Sequence, residues 1–311
     1  MRLACIAIAL TLMATPAFAA GKLPVEMATI QAKTKTYDIK VQYPQTGNKA
    51  VDTAIADWAK KEVASFRTQA ADNDMSVGAY SLYIEPDIKR NDDAIFAVVF
   101  TEDMYAGGAH GDITLQAMDF LMPDGWRVYL PEIFTDKGLA RISALAIADL
   151  DKQLGDSTDS TDQIKGGAGP DWSNFANFSL LPDKLDIQFA PYAVASYAAG
   201  PQETKIALSA LRGFYRKDWR APVASFDCTT AKTNLEKTIC SDVTLARLDR
   251  QTAGVYRTKL GIASEGAEKD AVRNAQRAWL AKRNTACVGG GAATCISRLY
   301  KERLAALEAQ P

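Results

Sequence analysis

The chemistry open to this chain rests on few residues. Its one histidine, His110, lies in the stretch YAGGAHGD (105–112), beside Gly107, Gly108 and Gly111 and two positions before Asp112. A histidine next to a carboxylate can serve as an oriented general base or as a metal ligand. The base needs a nucleophile or water within reach, and the metal needs further ligands. One histidine cannot make a multi-histidine metal centre. The sequence also has no HExxH, no G-x-S-x-G elbow and no phosphate- or dinucleotide-binding glycine loop. On a strand, His110 and Asp112 would point to the same side. The expectation is therefore structural: Gly107 and Gly108 permit a turn or bulge between two strands, and His110 packs or hydrogen-bonds locally. No catalytic residue, metal or cofactor is assigned. Asp156, Asp159 and Asp162 are spaced by three rather than two and lack a closing glutamate, so they are not read as a calcium loop.

Cysteine is the second chemical resource. Cys5 falls in the first residues, where Arg2, the apolar run Leu3 to Leu12 and Ala17-Phe18-Ala19 read as a secretory signal peptide cut near Ala19. No later run approaches the roughly 20 apolar residues of a membrane span. The remaining four, Cys228, Cys240, Cys287 and Cys295, all lie in the last 84 residues. An even number in an exported chain suggests two disulfides, and the intervals match no common zinc ribbon. Four cysteines allow three pairings. The local one, Cys228 with Cys240 and Cys287 with Cys295, is the expectation. The chain is then periplasmic or secreted.

Charge divides the chain at the same place. From Phe226 to Pro311 there are 14 Lys/Arg against 9 Asp/Glu, a net +5. From Ala20 to Ser225 there are 21 against 28, a net −7. The basic half is only modestly so and lacks interleaved aromatic residues, which argues against nucleic acid as a partner.

The elements that must position these residues follow from periodicity. TYDIKVQYP (36–44) alternates as a strand. Residues 48–66 bring Val51, Ile55, Trp58, Val63 and Phe66 to one helical face. Residues 77–90 and 93–105 form a hairpin turned at Asn91-Asp92, and a further strand follows the glycines from Asp112. LPEIFTDKGLARISALAIADLDKQL is largely helical, the polar glycine-rich stretch 155–171 reads as a loop, and strands resume at 177–191 and 203–211. The later part is helical. Leu245, Leu248, Thr252, Val255 and Leu260 share a face behind an N-cap at Ser241 or Asp242, and Val272, Ala275 and Trp279 point inward on the next helix. GGG (289–291) separates that helix from the last. The expected fold is an α+β domain (36–220) with a mostly antiparallel sheet and two main helices, preceded by an N-terminal extension (20–35). A small disulfide-stapled all-α domain (225–311) follows.

Two family resemblances add to this. The segment YAGGAHGDITLQAMDFLMPDGWRVYLPEIF and the later NFSLLPDKLDIQFAPYAVASYAAG resemble exported bacterial domains that include the extracellular part of RsiV-type anti-sigma factors and a region accompanying some peptidoglycan deacetylases. The resemblance covers about Thr36 to Leu211. It implies that the histidine belongs to a shared structural segment, and that a relative of this type binds lysozyme. The second runs from about Ser225 to Leu307. It rests on Phe226-Asp227-Cys228, Glu236-Lys237, Ile239-Cys240, Leu248-Asp249, Gln276-Arg277, Trp279-Leu280, Arg283, Cys287, Cys295 and Tyr300, and is similar to the LprI-type lysozyme inhibitors. It departs at VGGGAAT (288–294), which lacks acidic residues.

Together the resemblances imply an exported, non-enzymatic lysozyme-binding protein that occludes the lysozyme cleft and so protects the cell wall. Such a protein must pair with the cleft carboxylates, and Lys232, Lys237, Arg283 and Arg298 are the candidate cations. Two alternatives remain open at this point: an enzyme or accessory domain acting on cell-wall glycan, and an envelope protein of structural or stress role with no lysozyme affinity.

Overall fold

The computed structural model describes residues 22–155, 158–287 and 292–309; the expected signal peptide, Asp156 and the GGG stretch lie outside these. The first part is built on a six-stranded sheet in the order β1-β2-β3-β4-β5-β6. Its strands are β1 (Glu26–Lys33), β2 (Tyr37–Gln45), β3 (Tyr80–Asn91), β4 (Ile95–Tyr105), β5 (Asp112–Leu121) and β6 (Trp126–Val128). All neighbours are antiparallel except β2 and β3. A parallel pair needs a long crossover, and helix α1 (Lys49–Ala70) supplies it. Asn48 caps that helix through bonds accepted from the Ala50 and Val51 N–H groups. Residues 20–35, expected as an extension ahead of the domain, supply edge strand β1 from Glu26 onward.

The positions of β4 divide between two cores. Phe96, Val98 and Phe100 join Val51, Ile55, Ala59, Val63 and Phe66 of α1. Ile95 and Ala97 face the other way, into a second layer. Side chains alternate along a strand, so a run apolar at every position is what two covered faces require. The second layer holds α2 (Leu130–Ile133), α3 (Asp136–Leu154), α4 (Thr158–Ala168) and a three-stranded antiparallel sheet of β7 (Phe178–Leu180), β8 (Lys184–Phe189) and β9 (Gln202–Ala207).

Helix α4 corrects the loop expected at 155–171 and adds to the two main helices foreseen. Its polar sequence hides two anchors, Ile164 and Ala168, both buried in this core. The Ala168 carbonyl accepts a bond from the Ser143 hydroxyl at 2.7 Å. Gly167 is there for contact rather than for a turn: a Cβ on it would come within 1.8 Å of the Ala193 carbonyl oxygen. Glycine costs about 1 kcal/mol relative to alanine inside a helix, yet alanine would not fit between these backbones.

The last part is helical: α5 (Asn234–Ser241), α6 (Val243–Ile262), α7 (Ala267–Ala286) and α8 (Ala292–Ala309). Its core gathers Ile239, Leu245, Leu248, Ile296, Leu299 and Tyr300. Disulfides join Cys228 to Cys240 and Cys287 to Cys295. Closing loops this short in the unfolded chain stabilises the module by about 3 kcal/mol per bridge. Asp242 caps α6 through the Thr244 and Leu245 N–H groups. On α7, Ala275 is exposed, correcting its inward assignment. The buried positions are Gln276 and Arg283, with Val272 and Trp279 half-buried. These four recur at i, i+4, i+7 and i+11, a stripe containing two long polar side chains that hydropathy alone passes over.

Candidate functional site

His110 lies in the loop between β4 and β5, not on a strand, because β5 begins only at Asp112. Gly107 and Gly108 take φ of 97° and 104°, a left-handed backbone that side chains rarely adopt. The imidazole stacks on Tyr197 with centroids 3.9 Å apart and planes inclined by 20°. Its Nδ1 lies 2.8 Å from the Gly111 carbonyl oxygen, which also accepts a bond from the Tyr197 hydroxyl at 2.9 Å. His110 is exposed, and its ring bonds locally rather than to Asp112. Among the described residues no three His, Cys, Asp or Glu side chains gather as metal ligands do.

The four cations proposed from sequence occupy different environments. Lys232 and Lys237 are exposed at the corner closed by the Cys228–Cys240 bridge. That corner is held stiffly. Thr233 caps α5 by accepting from the Glu236 N–H, while the Glu236 carboxylate accepts from the Lys232 and Thr233 N–H groups. Arg298 is exposed on α8 and pairs with Glu302 at 2.6 Å. Arg283 points inward and is only 8% exposed. Its Nη1 donates to the Tyr300 hydroxyl at 2.5 Å, which donates on to Asp249 Oδ1 at 2.6 Å. The guanidinium also stands 5.4 Å from the Trp279 ring centre and 3.5 Å from Asp249. Arg283 is thus a core residue of the module, drawn in by a buried carboxylate that its own helix does not carry.

Sequence reasoning missed the seam between the helical module and the α+β domain. Helix α6 is buried on every side from Leu245 to Thr252, polar residues included. Its polar side chains reach carbonyls of the preceding chain. Gln251 Nε2 donates to Arg127 O at 2.7 Å, Arg247 Nη2 to Arg220 O at 2.9 Å, and Arg250 Nη1 to Asp218 O at 3.0 Å. Gly254 lets the helix approach α2, where a Cβ would meet Glu132 Cγ at 3.0 Å. At the far end, Glu308 of α8 accepts from the Tyr129 hydroxyl and from Arg127.

Within this seam Glu132 is fully buried. Burial pushes its carboxyl up to about 7, against the pull of the Tyr129 N–H and of Arg247 and Arg250. A cleft of about 510 Å³ opens beside it, walled by Trp58, Tyr129, Trp172 and Phe178, with Lys61, Glu62 and Glu308 among its polar groups. Mostly apolar walls with a few polar groups are the usual make-up of a binding cleft. Glu62 is raised by burial. Glu102 is pushed up to about 7 by burial and by the Glu62 charge.

Comparison with known proteins divides the chain along the same lines. Residues 227–307 match the family model described as Lysozyme inhibitor LprI. Residues 30–112 match the one described as Deacetylase PdaC, and residues 131–209 the one described as a protein of unknown function, DUF3298. The peptidoglycan-N-acetylmuramic acid deacetylase PdaC of Bacillus subtilis is 28% identical over 199 residues, which make up 63% of this chain and 42% of that protein. The chain thus spans less than half the length of this relative. Two solved DUF3298 proteins are also similar. The one from Bacteroides fragilis has 16% identity and a TM-score of 0.47, over 64% of this chain and 96% of its own. The one from Pseudomonas aeruginosa has 13% and 0.49, over 63% and 96%.

Proposed function

We propose that this chain, which carries an LprI lysozyme inhibitor domain behind PdaC and DUF3298 (RsiV-like) domains, binds lysozyme and inhibits it by covering its cleft. The observation carrying this reading is that the lysozyme-inhibitor match extends over nearly the whole helical module, both disulfides and the Arg283–Tyr300–Asp249 network included. The two bridges fit an oxidising compartment outside the cytoplasm, where lysozyme would be met.

In this reading the chain performs no chemistry of its own. A lysozyme cleft presents two carboxylates in different protonation states. Lys232 and Lys237 stand on a corner fixed by a disulfide and a capping box, so little motion is lost when they are placed against such groups. Arg298 is a lesser candidate because Glu302 already holds it, and Arg283 supports the surface from beneath. The acidic α+β domain accelerates encounter with a basic lysozyme.

The test is lysis of a cell-wall suspension by c-type lysozyme in the presence of the purified chain with its disulfides formed. Dose-dependent loss of lysis is expected. The Lys232→Ala, Lys237→Ala double variant should need at least about tenfold more protein for the same effect. The association rate should fall as salt rises. Undiminished lysis, with no complex on a sizing column, removes the proposal.

A second reading, an activity or accessory role on cell-wall glycan, is favoured by Glu62 in the wall of the seam cleft with the Glu102 carboxyl, raised by burial and by the Glu62 charge, near it. It calls for release of acetate or reducing ends from peptidoglycan fragments, lost in Glu102→Gln. A wild-type chain that releases neither and does not sediment with insoluble peptidoglycan rules it out.

A further inference from the structure

A second cavity opens on another side of the same seam. It has a volume of about 300 Å³, and four cationic side chains line it: Arg216, Lys217, Arg250 and Arg257. Among the described residues Glu132 is the one carboxylate in its wall. The cations come from two parts of the chain, Arg216 and Lys217 from the segment after β9 and Arg250 and Arg257 from α6. Seven residues separate the last two, two helical turns, so both project to the same side of α6.

The cations are unequally occupied. Arg216 donates through Nε to the Pro131 carbonyl at 2.8 Å, and its Nη2 stands 3.7 Å from the exposed Asp136. Arg250 spends Nη1 on the carbonyls of Asp218 and Ala221. Arg257 makes no hydrogen bond or ion pair among the described residues, though it is half-buried. Like charges gathered here oppose one another. Arg216 is lowered first by burial and then by Arg257, with Arg250 adding to it. One buried carboxylate, with the exposed Asp136 beside Arg216, does not balance four cations. Arginine forks converging on a pocket are the arrangement that receives a polyoxyanion, through charge-assisted and often bidentate bonds.

We infer that this seam pocket binds a small phosphorylated ligand, its phosphoryl oxygens held by Arg216, Arg250 and Arg257 with Lys217 at the rim. The volume lies at the lower end of small-molecule sites, larger than a free anion needs and too small for a polymer. Because its walls come from both modules, the occupied pocket ties the helical module to the α+β domain. This is independent of lysozyme binding.

Calorimetric titration of the intact chain with inorganic phosphate and with glycerol 3-phosphate tests it, against chloride at matched ionic strength. Both phosphates are expected to bind and to raise the melting temperature, the monoester more tightly. Arg257→Ala should weaken binding at least about tenfold, the loss of charged hydrogen bonds, and should not lower the melting temperature without phosphate, because among the described residues that side chain makes no hydrogen bond or ion pair and its charge opposes Arg216 and Arg250. Lys217→Ala should weaken it less. Binding of the monoester no tighter than of inorganic phosphate assigns the site to the free anion and overturns the ligand class. Chloride matching phosphate, or Arg257→Ala binding as the wild type does, overturns the site itself. A glutamate-rich peptide binding as tightly as phosphate gives the pocket to an acidic protein segment instead.

Discussion

Replacing Asp249 with alanine is expected to lower the unfolding free energy by about 3–5 kcal/mol, the usual result of removing one partner from a buried charge pair. Asp249 is 6% exposed, accepts three hydrogen bonds and pairs with Arg283. Oδ2 accepts from the Ser225 N–H and hydroxyl at 2.7 and 2.6 Å. Oδ1 accepts from the Tyr300 hydroxyl at 2.6 Å, with Arg283 Nη1 at 3.5 Å. Without the carboxylate, a guanidinium remains in the core without its buried counter-charge, and the chain entering the module at Ser225 loses its anchor. Burial, and then the Asp249 charge, already push the Tyr300 phenol up, so it stays a neutral donor in this network. Tyr300→Phe removes bonds but no charge and should cost only about 1–2 kcal/mol. Urea unfolding followed by helical circular dichroism separates the two variants. Asp249→Ala within 1 kcal/mol of wild type would show that the charge is reached by water.

The second large effect is on pH. The chain should be more stable near pH 5.5 than at pH 8, the reverse of ordinary acid sensitivity. Burial pushes Asp119 and Glu132 each to about 7. Asp119 Oδ2 accepts from the Leu180 N–H at 2.7 Å, but among the described residues Oδ1 has no partner, nor has Glu132 Oε2. Between the ordinary carboxyl range and pH 7 the folded chain therefore binds more protons than the unfolded one, and stability falls as pH rises. At 1.36 kcal/mol per pKa unit, the stretch from pH 5.5 up to about 7 lets each group account for at most about 2 kcal/mol of the difference between pH 5.5 and 8. Carboxylates held low, such as Asp227 beneath the Thr229 hydroxyl and N–H, lose their contribution only at more acid pH. Denaturant titrations at pH 5.5 and 8 measure the difference. Glu132→Gln and Asp119→Asn should each shrink it, and a profile as steep in the double variant as in wild type sinks the assignment.

Where one period dominated, the sequence was enough. The alternation of 36–44, the apolar stripe of 48–66 and the Asn91-Asp92 turn all reappear at β2, α1 and the β3–β4 hairpin. The α+β class and the disulfide-stapled helical end were legible for the same reason. Two things were hidden, and both come from tertiary contact. Helix α4 is too polar and glycine-rich to announce itself, and only packing against Ala193 and Ser143 explains it. The burial of Arg247, Arg250 and Gln251 depends on carbonyls from residues 127 and 218–221, which no local pattern reveals. Arg283 was visible as a cation, but not as one turned inward. Its partner Asp249 lies on another helix and its bridging Tyr300 on a third.

The ties from α6 to those carbonyls also have a consequence for how the molecule meets others. They dock the helical module against the α+β domain, so in this structure the net −7 of residues 20–225 and the net +5 of residues 226–311 stand side by side in one arrangement. Two opposite charges on a hinge would average their field over many orientations, whereas here they form a permanent dipole. A charged partner within a Debye length, about 8 Å at physiological salt, is then subject to a torque as well as a pull, and it arrives already turned.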